Sequence, residues 1–228
     1  MKLKRYFEIS NAVRSITDNE VRSIGAYHAY NFQLTLRSLI SSEPLAISAY
    51  HFDSTMGVIG AFVESDNFYK VYYDDREYTA RQNFTKVHEI GHYILHKGHG
   101  QSLFRDGSNS VFGNTVDPIE IEANIAASMI LLPDICLIYA LQDGWNFEQI
   151  CSIYGISQSA LFVRLQHVSE VYFHNNPQKA LSGAKIIRYR NGSGRVAFGK
   201  MFGKNLETMM TQQGMSPKID MRSLVYTY

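Results

Sequence analysis

The sequence predicts an α+β fold: a β-hairpin or small sheet, helices able to hold a metal ion, a helix-turn-helix-like helical pair and a small C-terminal α/β segment. Three observations predict it. Residues 57–63 (GVIGAFV) and 68–73 (FYKVYY) are β-rich runs around a Ser65-Asp66-Asn67 turn. Val87, Ile90, Gly91, Ile94 and Leu95 are apolar or small at helical spacing and frame His88-Glu89-Ile90-Gly91-His92. Downstream, Asp117 and Pro118 open a second apolar run, Asp117 as N-cap and Pro118 at the first helical position.

The chain has 228 residues and is 45% hydrophobic, enough for one sizeable core or one domain with a small appendage. Lys plus Arg number 22 against 21 Asp plus Glu, a net charge of +1. That balance carries no electrostatic signature for nucleic acid or an anionic membrane. Lys2, Lys4 and Arg5 make a basic start, but Glu8, Ser10 and Asn11 interrupt any signal-peptide core. Residues 18–42 carry helical apolar spacing through Val21, Ile24, Tyr27, Ala29, Phe32, Leu34 and Leu39, and read as one helix. The hairpin of residues 57–73 follows and is expected to offer an edge strand to an extended ligand.

The motif helix carries the chemistry. Residues four apart share a helix face, so His88 and His92 can present imidazole nitrogens to one ion. Glu89 can reach a water bound to that ion. Two neutral His ligands, a carboxylate base and an open coordination position are what a zinc hydrolase needs. Gly91 costs a helix about 1 kcal/mol relative to Ala, a cost tolerated where another backbone must come close. A continued H-E-x-x-H-x-x-G-x-x-H pattern fails, because Leu95 and Gly98 stand where Gly and His are required. His96 is one turn too far along to share the ion and reads as a capping, core or supporting residue. His99 lies past the helix stop at Gly98.

The third ligand must come from elsewhere. In the helix opened by Asp117, Glu120, Asn124 and Ala127 share one face while Glu122 points away. Glu120 can supply a carboxylate to zinc with Asn124 as its hydrogen-bonding support. It can equally complete a capping box at the third helical position. Spacing alone leaves the ligand role open between Glu120 and Glu122.

Two blocks together resemble the ImmA/IrrE family of zinc metallo-endopeptidases. Asn83-Phe84-Thr85 through His96 is similar to that family's F-T-x-x-H-E-x-G-H-x-x-L-H. Glu120-Ile121-Glu122-Ala123-Asn124 through Leu131-Leu132-Pro133 is similar to its E-x-x-A-N followed by L-x-P. The resemblance spans about residues 55–172 and implies a compact zincin-like domain. It implies one Zn2+ held by His88, His92 and Glu120, with Glu89 as general base. It also implies an intracellular endopeptidase that cleaves a regulatory protein, typically a helix-turn-helix repressor. Ala126, where the family commonly has Phe, departs in packing and not in chemistry. For the oxyanion, Tyr93, Tyr139, His99 and Arg105 are the candidates.

Residues 100–116 (GQSLFRDGSNSVFGNTV) form a long Gly-, Ser- and Asn-rich connection, expected as a mobile flap over the cleft. The longest apolar run, residues 125–141, contains Pro133 and Asp134 and is too short to span a membrane. It reads as a buried helix broken at Pro133. Cys136 and Cys151 sit in apolar contexts and read as buried thiols in a cytoplasmic chain.

Residues 146–167 have helix-turn-helix spacing, with Asn146 and Gln149 at a helix start, Gly155 as the turn and Ser157 as the second cap. The second helix offers only Arg164 and His167 as cations, fewer than a DNA reader usually carries. A pair that braces the metal helices or docks a partner is therefore expected over one that enters a groove. Residues 175–183 read as a linker and 185–202 as a hairpin around Asn191-Gly192-Ser193-Gly194. The expected organisation is a metallopeptidase domain over 1–143, the helical pair over 144–174 and a small C-terminal module over 184–228. The rival to the peptidase is a metal-containing regulatory protein that binds DNA or a partner through the helical pair.

Overall fold

The computed structural model describes residues 3–24, 27–98, 102–105, 117–174, 176–189, 192–212 and 214. The chain opens with helix α1 (Leu3–Ile24), where the sequence reading placed a helix only from residue 18. Its buried stripe is Tyr6, Ile9, Ser10, Val13, Thr17 and Val21. The spacing is helical, but Ser10 and Thr17 break its apolar character. Both are satisfied: Thr17 bonds the Val13 carbonyl and Ser10 bonds Asp134. The expected single helix over 18–42 is two. A short 3-10 turn, Tyr27–Ala29, follows α1, and α2 (Phe32–Ser42) restarts at Asn31, whose side chain accepts from the Gln33 amide.

The sheet has four strands, β1 (Leu45–Ala49), β2 (Val58–Ser65), β3 (Phe68–Tyr73) and β4 (Ser102–Arg105), in the order β1-β3-β2-β4. The predicted β2–β3 hairpin is present. Asp66 and Asn67 take positive φ of 41° and 67°, which suits a two-residue primed turn between the paired Ser65 and Phe68. Neither hairpin strand is an edge: β1 pairs parallel to β3, and β4 pairs antiparallel to β2. The expectation of an edge strand from the hairpin is therefore corrected, and β1 and β4 hold that place. Val58, Ile59, Ala61 and Phe62 are all buried, as an inner strand requires.

Helix α3 (Thr79–His96) lies on this sheet, and Phe62, Tyr69 and Tyr93 join the two through edge-on and stacked rings. Helix α4 (Pro118–Leu131) crosses α3, and α5 (Asp134–Gln142) follows after a 53° bend at Leu132 and Pro133. Among the described residues no single helix is long and apolar enough to cross a membrane. From Ala123 to Leu132, apart from Asn124, α4 and its C-cap are buried on every side, so the run is core.

The helical pair is α6 (Phe147–Tyr154) and α7 (Gln158–Tyr172). Asn146 and Gln149 form a reciprocal capping box, Gly155 takes a left-handed φ of 62°, and Ser157 caps α7. Beyond it the structure departs from the sequence reading. The expected linker and hairpin are two helices, α8 (Pro177–Tyr189) and α9 (Ser193–Gln212), so the C-terminal α/β segment is helical among the described residues. Asn176 accepts from the Lys179 amide and Pro177 begins α8, a helix start and not a linker. Buried Ala180, Ala184 and Ile187 repeat at helical intervals, as do Gly199, Phe202, Gly203, Leu206 and Met210. That period wins over the local β-propensity of Ile186, Ile187 and Tyr189. α8 packs on α7 and α9 on α5. A Cβ on Gly203 would stand 2.9 Å from the Ile138 carbonyl oxygen, so glycine allows that close approach.

Candidate metal centre

The site forms where α3 and α4 cross. Gly91 faces α4, and a Cβ there would meet the Ala123 carbonyl oxygen at 3.0 Å and the Ala126 Cβ at 3.3 Å. The small residues let the helix backbones nearly touch, which is the close approach Gly91 foreshadowed. One turn before Ala123, Glu120 then reaches the two histidines.

His88 and His92 are buried, with their Nε2 atoms 3.1 Å apart. Glu120 places Oε2 at 3.1 Å from His88 Nε2 and Oε1 at 3.4 Å from His92 Nε2. Ligand atoms of all three lie within 4.8 Å of one another. Two ligands on a tetrahedral zinc, each about 2.0–2.1 Å from the ion, stand about 3.3 Å apart. The spacing therefore suits such an ion. So does the chemistry of the donors. His88 Nδ1 lies 2.9 Å from Asn124 Oδ1, and His92 Nδ1 lies 3.1 Å from His96 Nδ1. With each Nδ1–H donated outward, both Nε2 lone pairs converge on one point beside a carboxylate. Burial lowers the His88 pKa and keeps the ring neutral, with Glu120 opposing. Burial raises the Glu120 carboxyl, and hydrogen bonds and charge from His88 and His92 outweigh it and hold the group well below the usual carboxylate range when a ring carries its proton on Nε2. An ionised carboxylate facing two lone pairs is a donor set that a divalent cation completes.

Asn124 supports His88 and not Glu120, which corrects the expectation. Each ring sits opposite a different outer partner. Behind His92 stands His96, whose Nε2 is 3.0 Å from Glu122 Oε2. Glu122 in turn accepts from Arg5 of α1, Nε to Oε1 at 2.7 Å and Nη2 to Oε2 at 2.5 Å. Arg5 holds the Glu122 carboxyl below its ordinary value, with burial opposing and His96 assisting. Glu120, not Glu122, is thus the carboxylate that meets the two histidines. Asp117 caps α4 through the Ile119 amide.

Glu89 is fully buried, and its Oε1 lies 2.9 Å from where a Cβ on Gly60 would stand. β2 passes so closely over α3 that the same Cβ would overlap Thr85 Cγ2 at 2.4 Å.

The oxyanion candidates separate. Tyr93 donates to Glu43 Oε2 at 2.8 Å, and Tyr139 stacks on Tyr27 at 4.9 Å, so both are engaged elsewhere. His99, the Arg105 side chain and most of the expected flap lie outside the described residues. Cys136 and Cys151 are free thiols; burial raises both, Cys151 to about 12.

The sequence model of the IrrE N-terminal-like domain, peptidase M78, matches residues 40–166. The chain belongs to this family. No curated protein matches it. The M78 match takes in the whole sheet, both helices of the candidate site, α5 and α6, and ends inside α7. It leaves out α1, and with it Arg5, which sequence reading also missed: a basic residue near the start gives no sign of a partner 117 positions away.

Proposed function

We propose that the protein is a zinc-dependent endopeptidase, with His88, His92 and Glu120 as metal ligands and Glu89 as general base. The observation that carries this reading is the convergence of two imidazole Nε2 atoms and one carboxylate at tetrahedral spacing, three protein ligands where a catalytic zinc wants three. A bound zinc supplies a Lewis acid for the scissile carbonyl and brings the pKa of a coordinated water toward 7. His88 and His92 hold the ion through Nε2, and Asn124 and His96 fix the ring tautomers from behind. Glu89 takes the proton of the attacking water and returns it to the leaving amine.

A cytoplasmic enzyme with one protein substrate, a helix-turn-helix repressor, is the corresponding biological reading. The substrate class rests on the family resemblance alone. The rival reading, a DNA-binding regulator, loses its two cations. Arg164 is fully buried against Asp134, and burial pushes His167 down to about 4 and leaves it neutral.

Elemental analysis tests the site. Wild type is expected to hold about one zinc per chain. His92→Ala and Glu120→Ala lose it, and Glu122→Ala retains it at saturating metal. Glu89→Gln is expected to keep its zinc while cleavage of a repressor substrate falls about 10²–10⁴-fold. A zinc-free wild type that takes up no metal overturns the reading.

A further inference from the structure

We propose that α1 controls the metal centre through a chain of contacts, Arg5–Glu122–His96–His92, in which Arg5, Glu122 and His96 are positioning residues for His92. The inference rests on the reading of His92 as a ligand. It adds three residues, one of them on a helix outside the family match.

Directionality follows from the atoms. The Arg5 guanidinium only donates, and it grips both oxygens of Glu122 at 2.7 and 2.5 Å. Glu122, held as a carboxylate, accepts from His96 Nε2 at 3.0 Å, which places the His96 proton on Nε2. His96 Nδ1 is then a lone pair, and it accepts the Nδ1–H of His92 at 3.1 Å. His92 is left with its Nε2 lone pair facing Glu120 and His88. Each link fixes the tautomer of the next. A metal-bound His commonly donates directly to a carboxylate. Here a second imidazole is interposed, and the carboxylate stands one residue further back.

Arg5 has a second effect. Glu122 lies two residues from Glu120 and its side chain is largely buried. The bidentate grip gives Glu122 a fixed place and leaves Glu120 as the carboxylate ligand. α1 can do this because Tyr6, Ile9 and Val13 anchor it in the core. Arg5 also bonds Glu8 one turn on, at 3.0 Å, which orients the guanidinium.

The test is metal affinity, read by competition of zinc with a chelating indicator, together with the visible spectrum of the cobalt(II)-substituted full chain. Glu122→Gln, nearly isosteric, is expected to weaken zinc binding about 10–100-fold and to shift the cobalt bands. Arg5→Met acts in the same direction, by about tenfold or less. In the Glu122→Gln background Arg5→Met is expected to have no further effect, because the link it works through is gone. Arg5→Lys restores part of the loss. Thermal unfolding of the metal-free variants shows that each still folds; general loosening would make the two losses add. If Arg5→Met and Glu122→Gln leave affinity and spectrum unchanged while His92→Ala abolishes binding, the chain of contacts is overturned and the metal site stands. If His92→Ala binds zinc as tightly as wild type, both readings fall.

Discussion

Two buried polar clusters lie near the two ends of α4, the front one at Glu120 in its first turn and the back one at Asp134 just past its C-cap, and they are built on opposite principles. At the back, Arg164 of α7 donates to Asp134 of α5 and to the Tyr6 hydroxyl, while Ser10 donates to the other Asp134 oxygen. One cation meets one carboxylate and two hydroxyls join them, while Arg164 Nε has no partner among the described residues. At the front, His88, His92 and Glu120 bring three acceptors to one point, with their donors turned outward. The first cluster pairs its charges and ties α1, α5 and α7 together. The second is open and asks for a cation. Burial of polar groups alone therefore does not mark a site; an excess of one polarity does.

The largest expected effect breaks the back cluster. Asp134→Ala strands the Arg164 guanidinium in the core and is expected to cost about 3–5 kcal/mol in denaturant unfolding. Glu120→Ala, tested on the metal-free chain, should change stability by no more than about 1 kcal/mol, because it removes one acceptor from a surplus. Equal losses would erase the contrast between the clusters.

A smaller effect sharpens the front. Gly91→Val forces a branched side chain against Ala123 and Ala126 and is expected to cost about 1–3 kcal/mol. It moves α4, and Glu120 with it, so zinc affinity falls as well. A loss of stability with unchanged affinity would mean that the crossing does not set the site.

The smallest effect concerns pH at the back. Burial, then the Arg164 cation, lower His167 to about 4. The unfolded chain, with an ordinary value near 6.5, takes up this proton first. The stability contribution is thus present above pH 6.5 and is lost as pH falls toward 4. His167→Gln should lose less stability than wild type over that window, by about 1–3 kcal/mol. Parallel pH profiles would show that His167 takes up its proton alike in the folded and unfolded chain.

What the sequence made legible follows from range. The ligand pair His88 and His92 is local, four residues on one helix, and Asp117-Pro118 announced the helix that delivers Glu120. Asn176-Pro177 carries the same kind of signal, yet the composition of residues 175–183 suggests a linker and the Asn191-Gly192-Ser193-Gly194 turn suggests a hairpin, where the chain forms α8 and α9. A long helical period, Ala180 to Ile187 and Gly199 to Met210, was the better guide. β1 and β4 are five and four residues long and are strands because β2 and β3 supply partners. Short edge strands of this kind have little signature of their own. Arg5, Glu122 and His96 meet only in three dimensions.

The packing of α9 has a last consequence. Gly199 and Gly203 bring this helix close onto α5, and α8 covers α7. The stretch that marks descent, residues 40–166, is therefore shorter than the stretch that folds. A chain cut at those limits would end midway through α7, lose the grip of Arg5, and bare the apolar flanks of Ile138 and Leu141 to water. The family match and the packed structure have different limits in this protein.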